Sequence, residues 1–121
     1  FKYSSDTRFD FLCDKNIIEV KNVTLRREND TAEFPDSVTS RGSKHLIKLI
    51  NSLKSGYKPF VLFLTQIQDI RNFRIAKDID NEYYNNYLLA KKAGVKFLAY
   101  RCVLSSTEIK IEKKIKIIDE R

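Results

Sequence analysis

Glu19 and Lys21 stand two residues apart in the run IIEVKNVTL, and on an extended strand that spacing sends both side chains from one face. A carboxylate beside an ammonium is a minimal device for meeting a divalent cation and a phosphate together. Spacing alone is weak evidence, because the chain carries three such pairs, EVK at Glu19, EIK at Glu108 and EKK at Glu112. In a lysine-rich protein most of these are solvated strand faces. The run RFDFLC just upstream sets the first apart. With Asp14 and Lys15 as a two-residue turn, Cys13 falls opposite Asn16 and Asp10 opposite Glu19, and directly opposed residues share a face. With Lys15 and Asn16 as the turn, Asp10 faces Lys21 instead and the three charges stay together. A three-residue loop sends Asp10 to the other face.

Two carboxylates and an ammonium on one face suit Mg²⁺ or Mn²⁺, hard ions that take oxygen ligands and keep several waters. Asp10 and Glu19 are the expected metal ligands, with the backbone carbonyl of Val20 as a further donor. The ion would polarise a scissile phosphate and activate water, while Lys21 stabilises the hydroxide or the charge developing on phosphorus. The competing reading is a surface ion pair of Lys21 with Asp10 or Glu19, worth roughly 0 to 1 kcal/mol and functionally silent.

From Ser37 to Gln68 there is no acid, whereas Arg41, Lys44, Lys48, Lys54 and Lys58 are basic. Arg41, Lys44 and Lys48 fall on one helical stripe opposite the leucines, a row that can track phosphates, and the helix N-terminus adds backbone N–H groups that favour anions. A merely solvated helix face usually carries interspersed acids. His45, the single histidine, sits between this stripe and the core, where a structural hydrogen bond fits better than catalysis. Tyr83, Tyr84 and Tyr87 offer rings for stacking on bases, yet tyrosines at helical spacing read first as packing.

The elements that must position these residues follow from pattern. Arg8 to Leu25 reads as a β-hairpin around Asp14, Lys15 and Asn16. Arg26 to Glu33 reads as a polar loop or second hairpin tip, with a short extended piece from Glu33 to Pro35. Leu46, Leu49, Ile50 and Leu53 recur at helical spacing between Ser37 and Ser55, with Gly56 as the stop. FVLFLT after Pro59 reads as a central strand buried on both faces. Asp80 is the expected cap of a second helix that ends at Gly94. VKFLAYRCV is a strand, and IKIEKKIKII reads as an exposed edge strand protected by its lysines. The predicted fold class is α/β, or α+β, with a mixed sheet flanked by helices.

A chain of 121 residues with 42% apolar content has the size of one domain with one core. Its net charge of +7 and pI near 9.4 favour a polyanionic partner, nucleic acid first. Cys13 and Cys102 lack metal-ligand spacing and form no disulfide framework, which suits a reducing cytoplasm. The apolar runs are too short to span a bilayer. The chain has no Met and opens on the strand-like FKY, as expected of a fragment of a longer protein.

In order and spacing, TRFDFLCDKNIIEVKNVTL, FPDSVTSRGSKHL, KPFVLFLTQ, FRIAKDIDNEY and AKKAGVKFLAYRC resemble the sugar fermentation stimulation protein A family, from about Phe1 to Lys116. The resemblance implies a PD-(D/E)XK restriction-endonuclease-like core, a C-terminal domain preceded in complete members by an OB-like domain that this chain lacks. It implies nonspecific DNA binding and a regulatory link to sugar, notably maltose, metabolism in bacteria. It maps Asp10 as the strand acid, Glu19 and Lys21 as the E-x-K pair, and Val20 as the intervening carbonyl. Asp36, Thr39, Arg41, Lys44 and His45 become neighbours of the site. An upstream helix that supplies another carboxylate in many such nucleases is outside the chain. Phosphodiester hydrolysis is therefore one expectation, and a catalytically inactive regulatory or RNA-binding module is the other.

Overall fold

The computed structural model describes all residues except 1, 5, 6, 120 and 121, and for residues 2–4, 7, 8 and 104 it describes the backbone alone. Phe1 of the strand-like opening thus lies outside the described residues. In chain order the elements are β1 (Lys2–Ser4), β2 (Thr7–Arg8), β3 (Phe11–Cys13), β4 (Asn16–Val23), β5 (Leu25–Glu28), β6 (Thr31–Phe34), α1 (Ser40–Lys54), β7 (Lys58–Thr65), β8 (Asn72–Ile75), α2 (Asn81–Ala93), β9 (Lys96–Leu104) and β10 (Ile109–Ile117). Strands β1 and β2 form a small antiparallel pair. The other eight form one mixed sheet in the order β3-β4-β7-β9-β10-β8-β6-β5.

The β3–β4 hairpin has the two-residue turn at Asp14 and Lys15, with Cys13 opposite Asn16, Leu12 opposite Ile17 and Phe11 opposite Ile18. Asp14 takes φ 54°, a left-handed conformation that the short polar side chain of aspartate tolerates. Pairing stops at Phe11, so the strand expected from Arg8 to Cys13 is interrupted at Phe9 and Asp10. The cause is local: Asp10 turns its carboxylate onto the backbone N–H of Val20 (2.7 Å).

β7 lies between β4 and β9, parallel to both. Its alternate residues Val61 and Phe63 join Ile17, Ala99 and Ile115 in a core completed by Leu46 and Leu49 of α1 and Tyr83, Tyr87 and Ala90 of α2. Both helices therefore cover one face of the sheet, and Tyr83 and Tyr87 are packing residues, each 0% exposed. The termini obey the capping rules. Thr39 Oγ1 accepts from the Gly42 N–H (3.0 Å), Asp80 Oδ1 accepts from the Tyr83 N–H (3.0 Å), and Gly56 and Gly94 take φ 83° and 120° just past the helix ends.

Of the two readings of the polar stretch after the first hairpin, the second hairpin holds, as β5–β6. Asn72–Ile75, which sequence pattern passed over, is a strand paired in parallel with β6. IKIEKKIKII is not an outer strand: β10 lies between β9 and β8. It meets β8 only through Lys116 and Ile117, and residues 109–114 are exposed. Over Ile109–Ile115 it pairs with β9 alone, so the exposure its lysines announce belongs to a stretch whose other edge is open. The second hairpin is held by charge. Glu33, with a side chain 0% exposed, receives Arg27 at 2.7 Å and Arg74 at 3.5 Å, while Arg27 also pairs with Asp78 (2.6 Å) and Arg74 with Glu28 (3.0 Å).

Candidate metal and phosphate site

Ile17, Glu19, Lys21 and Val23 alternate along β4 on the face covered by the helices, and Glu19 is 4% exposed. Its carboxylate meets His45 of α1, Nδ1 to Oε2 at 2.6 Å. The ring of Phe9 stands edge-on to the imidazole, 5.7 Å between centroids and 74° between planes. Lys21 Nζ lies 3.8 Å from Glu19 Oε2 and 6.0 Å from the centre of the Phe34 ring. Asp10, just beyond the last hairpin pair, is anchored by the Val20 N–H. Phe9, Asp10, Glu19, Val20, Lys21, Arg41 and His45 together line one cleft of about 450 Å³.

The electrostatics follow from crowding acids at a buried spot. Burial raises the Glu19 pKa most, a hydrogen bond and the charge of Asp10 raise it further, and Lys21 and Arg41 pull it down, leaving it pushed up to about 7. His45 moves below its usual range, because burial and the cations Lys21, Arg41 and Lys44 disfavour imidazolium. Both shifts favour the neutral forms. The short His45–Glu19 contact therefore has less ion-pair character than two ordinary groups would give it.

The structure thus brings together Asp10, Glu19, Val20, Lys21, Arg41 and His45. It places the other sequence candidates elsewhere. Thr39 caps α1 and donates its N–H to Asp80 Oδ2 (2.8 Å). Asp36 is exposed and accepts from Ser37 at 3.5 Å. Lys44 is exposed and Lys48 half-buried on α1, and neither lines the cleft. Phe9 lines the cleft without being a sequence candidate, while Tyr83 keeps the packing role its spacing suggests. Tyr83 is buried at 0% exposure, its hydroxyl finds no hydrogen-bond partner among the described residues, and its pKa is held well above the ordinary phenol range by burial, with Glu19 and Asp80 adding to the effect. The signal for Phe9 is an aromatic immediately before the strand acid, which does not point to a site by itself.

As a metal pocket, the donor set fits a hard ion rather than a soft one. A buried carboxyl that desolvation already drives toward protonation, with a second acid beside it, gains most from a divalent cation. Among the described residues no three His, Cys, Asp or Glu side chains form a ready cage, so an ion here would keep waters. Cys13 and Cys102 are free, the first exposed and the second buried.

A mixed sheet carrying an acid-bearing hairpin, with a parallel central strand and helices across one face, defines the restriction-endonuclease-like α/β class. The solved structure of Pyrococcus furiosus SfsA in complex with Ca²⁺ shares this fold with a TM-score of 0.82 and 25% identity, over 94% of this chain and 51% of that one. The family model described as "Sugar fermentation stimulation protein RE domain" matches residues 1–108, and the chain belongs to this family. A sugar fermentation stimulation protein homolog from Pelagibacter ubique is 65% identical over 97% of this chain and 52% of its own length. One from Maricaulis maris is 40% identical over 96% and 52%. The chain spans about half the length of the curated relatives it matches. Among the described residues no helix is long and apolar enough to cross a membrane.

Proposed function

We propose that this chain is the nuclease-like, DNA-binding domain of a protein that holds Mg²⁺ or Mn²⁺ between Asp10 and Glu19 and hydrolyses phosphodiesters there. The observation that carries the reading is the single cleft joining both acids, the Val20 backbone, Lys21 and Arg41. A divalent ion would supply Lewis-acid polarisation of a phosphate and a lowered pKa for water. That the Pyrococcus furiosus relative forms a complex with Ca²⁺ supports a divalent site in this family.

The chain's own residues divide the remaining work. Asp10 and Glu19 present oxygens at the mouth and floor of the cleft, with the Val20 carbonyl as a further donor. His45 fixes the Glu19 carboxyl, and Phe9 stands edge-on against the imidazole. Lys21 stands within ion-pair distance of Glu19, placed to meet negative charge on a phosphate. Arg41, in the first turn of α1, meets a neighbouring phosphate oxygen, and Lys44 and Lys48 continue the contact along the backbone without reading bases. Regulation of sugar metabolism would act through such DNA occupancy.

One observation favours a binding role without turnover: the Asp10 carboxylate holds the Val20 N–H, so the acid has a structural duty as well. A cleavage assay on full-length protein with Mg²⁺ and Mn²⁺ decides between them. Hydrolysis by wild type that falls at least 100-fold in Asp10→Asn and Lys21→Ala supports the nuclease reading. DNA binding with no cleavage under either ion establishes the regulatory one.

A further inference from the structure

The two helices cover one face of the sheet, and the opposite face is apolar and open. Ile18 of β4, Phe60 and Leu62 of β7, Leu98 and Tyr100 of β9 and Ile111 of β10 line a shallow depression of about 560 Å³ there. They are contiguous by register: Ile18 pairs with Phe60, and Leu62 with Leu98. Phe60, Leu62 and Leu98 are only half-buried, and Ile111 is 49% exposed. A parallel strand as uniformly apolar as FVLFLT belongs between two covered faces, and a continuous patch of this kind marks a surface built to be covered.

We infer that this face is the docking surface for the remainder of the full-length protein, which lays an apolar face across β4, β7 and β9 as the second cover of the sheet. Three observations select that occupant. The relatives are about twice as long as the matched span, so a comparable length of polypeptide accompanies this domain in them. The lining residues include no charged side chain, which disfavours a phosphate-bearing partner. β3, by which the chain enters the sheet, borders the same face through Cys13. The inference does not depend on the metal reading.

Cys13 serves as reporter because it lines the depression and is free, while buried Cys102 is an internal reference. In native full-length protein, thiol labelling of Cys13 resolved at the peptide level is expected to run at least tenfold slower than in urea, independent of protein concentration. Leu62→Lys is expected to restore fast Cys13 labelling while Cys102 stays protected, showing that the domain remains folded. In a second measurement, benzoylphenylalanine replacing Tyr100 is expected to photocross-link within one molecule, to residues outside the matched span. Fast Cys13 labelling in the native wild type overturns the inference. So do protection that grows with protein concentration and cross-links between ¹⁴N- and ¹⁵N-labelled molecules, which identify a second copy as the occupant.

Discussion

The chemistry of the cleft turns on one carboxyl. Glu19 is buried beside Asp10 and titrates near 7 instead of near 4.5, so between those values the folded state holds a proton that the unfolded chain releases. Stability contributed by Glu19 is therefore present at acid pH and lost as pH rises through about 7. His45 works in the opposite sense, since its lowered pKa lets the unfolded state take up the proton first as pH falls below about 6.5. Comparison of wild type with Glu19→Gln isolates the carboxyl. We expect the variant to gain on wild type between pH 5 and pH 8 by on the order of 2 kcal/mol in urea denaturation without metal, and Mn²⁺ to offset the loss in wild type alone. A constant difference across that range contradicts the shifted carboxyl. A neighbouring residue matters for space: a Cβ on Gly42 would lie 2.9 Å from the Thr39 side chain and 3.1 Å from the Tyr83 ring. Gly42→Ala should cost about 1 to 3 kcal/mol in thermal or chemical denaturation by over-packing the cap, and an unchanged midpoint would show that Thr39 and Tyr83 yield freely.

Among the elements, α1 does two jobs, because it carries His45 to Glu19 and presents cations along its outer side. Arg41 lines the cleft, whereas Lys44 and Lys48 lie on the helix beyond it. Lys44→Ala with Lys48→Ala should weaken DNA binding uniformly across sequences and flatten the salt dependence by about one to two units of log–log slope. Arg41→Ala should also lower cleavage at saturating DNA. A double variant with the wild-type slope would remove this helix from the interface. The hairpin that supplies Asp10 and Glu19 was readable from residues, since Asp14 and Lys15 are turn formers between β-rich runs and an even loop fixes which side chains share a face. Gly56, Asp80 and Gly94 likewise mark helix ends through local backbone needs. What failed to show were elements defined by distant partners. NFRI is a strand whose buried Arg74 is tolerable only because Glu33 and Glu28 lie against it, and a buried arginine in a four-residue run reads as loop. The His45–Glu19 contact spans 26 residues, and no local spacing announces it. β10 read as an edge because lysine alternation reports exposure, which this strand has over residues 109–114 despite its interior place.

For the molecule as a whole, the net charge of +7 supplies general attraction for a polyanion, and the cleft supplies the local chemistry. The fold shows why these are separable. The sheet and the two helices rest on an apolar core and on the Arg27–Glu33–Arg74 network, and the exposed Asp10 side chain belongs to neither, so neutralising Asp10 should leave the fold standing. A calorimetric titration of Mn²⁺ into full-length protein at pH 7.5 is the most direct test of the site. We expect one saturable ion per chain, accompanied by proton release from Glu19. Affinity should be at least tenfold weaker in Asp10→Asn and in Glu19→Gln, and unchanged in Asp14→Asn at the hairpin turn. Absence of saturable binding, or equal affinity in all four proteins, would contradict a metal site between Asp10 and Glu19.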